Sequence, residues 1–300
     1  MTGFLGSGKT TIILSLIDQL QRRGEQVVYI KNEIGSENID GQLAQNKTVQ
    51  TTELLNGCIC CTLVGPFISA IDELMLQHQP DRIIIEASGA AEPSAIALMV
   101  SSHARLTRDG VISIIDVENF EGYKDISFTA QQQAKFTDLI LLNKVELVDD
   151  DRKRAVVGYI RELNASSPIL EAPHGQISPA VVFGLHPAEI TSHPPEHVHT
   201  ADEHEDIDTL TITVAEPPSL TSLRTALGAL PKAVFRVKGI LSINTGEVML
   251  INKVGTRIEI SPLEDQDIHS TSKLVLIGFR LQDQQENILS SLRPHLALAQ

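Results

Sequence analysis

The chain has 300 residues, 42% of them apolar, enough to bury a core in one large domain or two. Its 38 acidic side chains outnumber 24 basic ones, and the net charge of −14 would repel a nucleic-acid backbone or an anionic membrane surface. One phosphate pocket remains allowed, because a local nest of N–H groups and a single Lys can override the global field.

No apolar run reaches the roughly 18 residues of a membrane span, and no charged segment followed by an apolar stretch opens the chain. Three cysteines, all within residues 58–61, cannot make a disulfide framework. A reducing, cytoplasmic setting is expected.

Residues 3–10, GFLGSGKT, match G-x-x-x-x-G-K-[ST] in full. Gly3, Gly6 and Gly8 let backbone N–H groups converge on phosphates, Lys9 reaches the β/γ oxygens, and the Thr10 hydroxyl suits Mg²⁺. Ser7 and Thr11 complete the candidate contacts. A helix is expected from Lys9 to about Arg23, with Ile12, Ile13, Leu16, Ile17 and Leu20 on its apolar side. Its positive end would face the same anion. Only Met1 and Thr2 precede Gly3, whereas a phosphate loop ordinarily follows a buried strand of about five residues. The expectation is a start further upstream, or a sheet that lacks a strand and is unstable.

Buried strands are expected at 26–30, 82–87, 110–116 and 138–143, with helices around 63–78, 93–101, 128–136 and 150–163. This alternation signals a parallel α/β sheet with helices on both faces. After the second strand, Glu33 and Glu37 fall where nucleotide-sensing loops lie in P-loop proteins. They could reach Mg²⁺ or a second metal, or be solvated loop acids. Cys58, Cys60 and Cys61 follow, in NGCICC. Thiolates favour Zn²⁺ or Cu(I) over Mg²⁺, although free cysteine is also a common small core residue. In an extended strand Cys58 and Cys60 would share a face and Cys61 would not, so three-thiolate binding needs a turn.

Residues 82–93, RIIIEASGAAEP, read as strand, Glu86-x-x-Gly89, then a helix opened by Pro93. Glu86 at the strand's C-terminal end can hold Mg²⁺ through water or orient an attacking water, and Gly89 can bring an N–H to the γ-phosphate. Lys9, Glu86 and Gly89 are the candidate catalytic set. A later strand ends in Asn143-Lys144-Val145-Glu146. In GTPases an Asn-Lys-x-Asp loop reads guanine: its carboxylate accepts two adjacent N–H donors and the Lys stem covers the ring. Glu146 is one methylene longer. Guanine is preferred over adenine, and a plain surface turn is the other reading.

Residues 186–208 hold five histidines, seven acids and three prolines, with no Lys or Arg. Such a segment buries too little apolar surface to fold alone and reads as a linker. His193, His197, His199 and His204 could gather a metal weakly, or be solvated polar residues. Strands at 209–214, 233–243, 247–252, 256–260 and 274–279, with helices near 219–230 and from about 281, make a smaller α+β domain. The expected division is therefore 1–185, 186–208 and 209–300.

Together these motifs resemble the CobW-type family of metal-handling GTPases, relatives of UreG and HypB. GFLGSGKTT at 3–11, NE at 32–33, NGCICC at 56–61, EASGAAEP at 86–93 and NK at 143–144 stand in family order, and FRVKGIL at 235–241 resembles the opening of the C-terminal domain. The resemblance implies slow, metal-responsive GTP hydrolysis, with GTP and Mg²⁺ bound and Zn²⁺, or in some members Co²⁺, delivered to a client metalloprotein. A homodimer is compatible with it. Two other functions compete: an ATP-dependent small-molecule kinase, against which the cysteines count, and a non-enzymatic metal buffer, against which the phosphate loop counts.

Overall fold

The computed structural model describes residues 1–4, 6–32, 50–53, 64–87, 93–120, 136–185, 190, 207–263 and 272–299. The chain divides into two compact units, Met1–Ile177 and Ser178–Gln300.

In the first unit every paired strand is parallel. β5 (Ile112–Asp116), β6 (Leu139–Asn143) and β7 (Ile169–Ala172) lie side by side, and β3 (Gln50–Glu53), β2 (Val27–Asn32) and β4 (Arg82–Ala87) form a second group. Between the groups runs β1, only Thr2–Gly3. It pairs with β5 through Thr2↔Ser113 and Gly3↔Ile114. On its other side the Met1 nitrogen donates to the Ile85 carbonyl at 2.6 Å, and the Ala87 N–H donates to the Met1 carbonyl at 2.8 Å. Where the sequence left the sheet short of a strand, Met1–Gly3 lies between β4 and β5 and pairs with both.

Alternation along β2 and β4 assigns the two faces. Val28, Ile30 and Ala87 join Phe67, Ile71 and Leu74 of α2 (Val64–His78) and Ile96 and Met99 of α3 (Pro93–Ser102). Tyr29, Ile84 and Glu86 point the other way, toward α1 (Lys9–Arg22), which buries the five apolar residues expected of it. Helices therefore cover both faces, which is why β5 and β6 can be apolar almost throughout. Behind β5 and β6, α4 (Asp150–Leu163) buries Val156 and Ile160. The Asp149 side chain caps that helix by accepting the Arg152 N–H.

Two strands of this unit escape the sequence pattern. β3 is polar (QTTE) and β7 is only four residues long, and each is an edge strand paired on one side. The helix expected at 128–136 falls almost wholly outside the described residues.

The second unit is an antiparallel sheet in the order β11 (Arg257–Pro262), β10 (Val248–Val254), β9 (Val234–Ser242), β12 (Lys273–Phe279), β8 (Ile207–Thr213). α6 (Leu220–Ala229) and α7 (Gln285–Leu292) pack Leu223, Leu227, Ile288 and Leu292 on one face, against Val237, Ile251 and Leu276. Ser219 caps α6 by accepting the Ser222 N–H at 3.0 Å. A short buried helix, α5 (Pro179–Phe183), has no counterpart in the sequence reading; its Val182 carbonyl accepts Arg236 Nη1 at 2.6 Å.

Ile114 is fully buried in β5, the strand that carries β1. Ile114→Ala is expected to destabilise the first unit by about 2–5 kcal/mol, read from urea unfolding. Leu76→Ala, at a site 74% exposed on α2, should stay within about 0.5 kcal/mol of the parent.

Candidate nucleotide site

The C-terminal ends of β1, β4, β5 and β6 are the edge at which an open α/β sheet binds ligands. The phosphate-binding sequence fills that edge. Gly3 has φ 146°, and a Cβ there would overlap the Ile114 carbonyl oxygen of the neighbouring strand. Gly8, with φ 87°, is the N-cap of α1, and no side chain caps the first turn. The positive end of the helix therefore faces the loop. Lys9 is buried, and its ammonium donates to the Phe4 carbonyl at 2.9 Å, across the loop it belongs to. Ser7 Oγ is buried and has no hydrogen-bond partner among the described residues. Gly6 and Thr11 are exposed.

The second phosphate motif meets the first directly. Thr10 Oγ1 lies 3.1 and 3.2 Å from the two carboxylate oxygens of Glu86. Glu86 is buried, and its Oε2 also accepts the Tyr29 hydroxyl from β2. Tyr29 belongs to the site but was not singled out from sequence; its signal was a polar-tipped aromatic in the otherwise aliphatic run VVYI. Thr10 and Glu86 are an all-oxygen donor pair next to the phosphate loop, the chemistry that suits Mg²⁺. The residues present fit that ion.

The Asn143-Lys144-Val145-Glu146 motif divides its labour. Asn143 ends β6, is buried, and donates through Nδ2 to the Ser7 carbonyl at 2.9 Å. It ties the loop after β6 to the phosphate loop. Lys144 adopts a left-handed φ of 61°, and its ammonium pairs with Asp116 Oδ2 at 2.6 Å. Asp116, at the end of β5, was also missed from sequence, although an acid closing an apolar strand was a visible signal. Burial alone would raise its carboxyl pKa, but hydrogen bonds from Asn119 and Lys144 outweigh that and hold it below the usual carboxylate range. Glu146 lies in the 3₁₀ turn Val145–Leu147 and turns toward Pro173–Gly175, the turn that follows β7. Its Oε2 accepts the His174 N–H at 3.0 Å.

Glu33, Glu37, Cys58, Cys60, Cys61, Gly89, His193, His197, His199 and His204 lie outside the described residues. Among the described residues no group of three or more His, Cys, Asp or Glu side chains is placed to hold a metal.

Comparison with known proteins accords with this arrangement. Residues 1–171 match the CobW/HypB/UreG nucleotide-binding domain, more than half of the chain. The chain belongs to this family. Residues 207–293 match the C-terminal domain of the cobalamin synthesis protein CobW. Among its relatives, the zinc chaperone YjiA of Escherichia coli is 28% identical over an alignment of 306 positions that covers 95% of this chain and 94% of that protein. The zinc chaperone CobW of a Sinorhizobium species is 29% identical, covering 86% of this chain and 85% of that one. The zinc-regulated GTPase metalloprotein activator 1 of Schizosaccharomyces pombe is 26% identical, covering 94% and 82% respectively. Within the CobW/HypB/UreG domain, the match takes in both phosphate motifs, the cysteines and the Asn143 loop.

Two substitutions test the site's construction. At Gly8 a Cβ would overlap Asn143 Nδ2. Gly8→Ala should therefore lose the Asn143–Ser7 bond and cost at least about 1–2 kcal/mol from the left-handed backbone alone, seen as a lower melting temperature. Tyr29→Phe removes a donor from a buried carboxylate and is expected to cost about 1.5–3 kcal/mol in the same measurement.

Proposed function

We propose that the chain is a GTP-hydrolysing metallochaperone, which binds zinc or cobalt through its CxCC motif and transfers it to a client metalloprotein. The observation that carries the reading is the meeting of Thr10 with Glu86 beside a complete phosphate-binding loop, in a chain whose relatives include zinc chaperones and a zinc-regulated GTPase. The proposed division is a nucleotide unit in residues 1–185, a linker in 186–208 and a C-terminal domain in 209–300.

In this reading Lys9 leaves the Phe4 carbonyl for the β/γ-phosphate oxygens, and the N–H groups at the start of α1 complete the cradle. Thr10 and Glu86 would hold Mg²⁺, which when bound supplies positive charge at the phosphate oxygens. Glu86, fixed by Thr10 and Tyr29, orients the attacking water, and the N–H of Gly89 approaches the γ-phosphate. Asn143 braces the loop, the Lys144 stem covers the base, and Glu146 accepts the two adjacent N–H donors of guanine. That pair of donors is absent from adenine, so the carboxylate favours GTP over ATP.

The cargo metal is assigned to Cys58, Cys60 and Cys61, with Glu33 or Glu37 as a further donor and His193, His197, His199 and His204 as weak accessory ligands. Three thiols within four residues, in a chain without any other cysteine, support that assignment. They lie in sequence between the two phosphate motifs, so nucleotide and metal can bias one shared element. No helix among the described residues is long and apolar enough to cross a membrane. The excess of acid argues against nucleic acid as a partner, and the paucity of cysteine suits the cytoplasm.

GTP turnover with and without Zn²⁺, in the parent and in Cys60→Ala, tests the reading. Zinc should change the parent's rate and leave Cys60→Ala unmoved. Zinc affinity should differ at least about fivefold between the GTP- and GDP-loaded forms. Equal affinities would reject the coupling, and equal use of ATP would reject the guanine assignment. Lys9→Ala should abolish the nucleotide response while leaving zinc bound.

A further inference from the structure

We infer that His174 is a positioning residue for nucleotide selectivity, which holds the long Glu146 side chain at the depth a guanine base requires. The inference rests on the guanine reading above and adds a residue to it.

Glu146 carries one more rotatable bond than the aspartate of the usual motif. A free glutamate side chain loses more rotamer entropy when fixed, on the order of 1 kcal/mol, and its carboxylate can miss the base altogether. Here one residue meets both carboxylate oxygens, Oε2 through a backbone hydrogen bond and Oε1 through an imidazole that forms an ion pair when protonated. The His174 N–H donates to Oε2 at 3.0 Å, and His174 Nδ1 lies 3.3 Å from Oε1. Each carboxylate oxygen has two lone-pair directions, so this grip leaves one on each oxygen for the N1–H and N2–H of guanine.

The backbone is shaped for this task at some cost. His174 has φ 51° and Lys144 has φ 61°, both left-handed conformations that non-glycine residues rarely adopt. The two residues stand in adjoining turns, and the pair of turns joins His174 to Glu146. The next residue, Gly175, is close to Thr11 and Ile12 of α1 and to Asn143. The turn that grips Glu146 therefore also touches the start of the phosphate-binding helix. The His174 side chain is 72% exposed and that of Glu146 22%, so the imidazole is the more solvent-facing member of the pair.

His174→Gly separates the contributions. Glycine accepts the left-handed backbone and keeps the amide N–H, so the variant should fold, and only the imidazole is lost. The probes are GTP and ITP, whose base lacks the 2-amino group, titrated calorimetrically with Mg²⁺ present. With the imidazole protonated, the variant should lower the ratio of GTP to ITP affinity about two- to fivefold, the range of an exposed ion pair. On a Glu146→Asp background the same substitution should change the ratio less than about 1.5-fold, because the shorter side chain does not need the clamp. An unchanged ratio in His174→Gly overturns the inference, as does an undiminished effect on the Glu146→Asp background. If the parent binds ATP as tightly as GTP, the guanine reading fails and this inference fails with it. A guanine-selective parent with an unmoved ratio sinks only the role of His174.

Discussion

The first unit depends on how the segment Met1–Gly3 lies between β4 and β5. Its backbone closes the hydrogen bonding of Ile85 and Ala87 on one side and registers Thr2 and Gly3 against Ser113 and Ile114 on the other. Buried backbone groups in the middle of a sheet must be paired, and three residues pair them. The same segment delivers the chain into the phosphate loop, so Gly3 has to approach the Ile114 carbonyl with no Cβ in between. The start of α1 is thereby set against the ends of β4 and β6, where Glu86 and Asn143 are waiting. The contacts of Thr10 with Glu86 and of Asn143 with Ser7 follow from that placement.

Electrostatics then becomes a local matter. A chain of net charge −14 is an unpromising phosphate binder by its average field. The site answers with the open end of one helix and one buried ammonium. Among the described residues, the acids at the site are committed: Glu86 to Thr10 and Tyr29, Asp116 to Lys144 and Asn119, Glu146 to His174. Each is held by a donor and so is oriented before any ligand arrives, which reduces the reorganisation that binding or catalysis must drive.

Much of the fold was legible because its signals are local. Apolar runs bounded by turn residues marked β4, β5 and β6, and an i, i+4 stripe marked α1. β3 and β7 were not legible. Edge strands of four residues carry no continuous apolar run, and QTTE becomes a strand because Val28–Lys31 offers it unpaired N–H and carbonyl groups. α5 was hidden for a similar reason: five buried residues are too few to display a helical period.

The sequence by itself determined the phosphate motif, the acid at the end of β4, the cysteine cluster and the order of elements, because glycine, lysine and thiol chemistry at fixed spacing has few other uses. Only the tertiary structure decided which of those residues meet. Asn143, read from sequence only as part of the base loop, also braces the phosphate loop. Tyr29, Asp116 and His174 had no motif and acquire roles from strands and turns far away in the chain. The reason is physical: a motif specifies donors and acceptors, whereas the pairing of β1, β4, β5 and β6 specifies where their ends converge, and a partner's identity depends on that convergence.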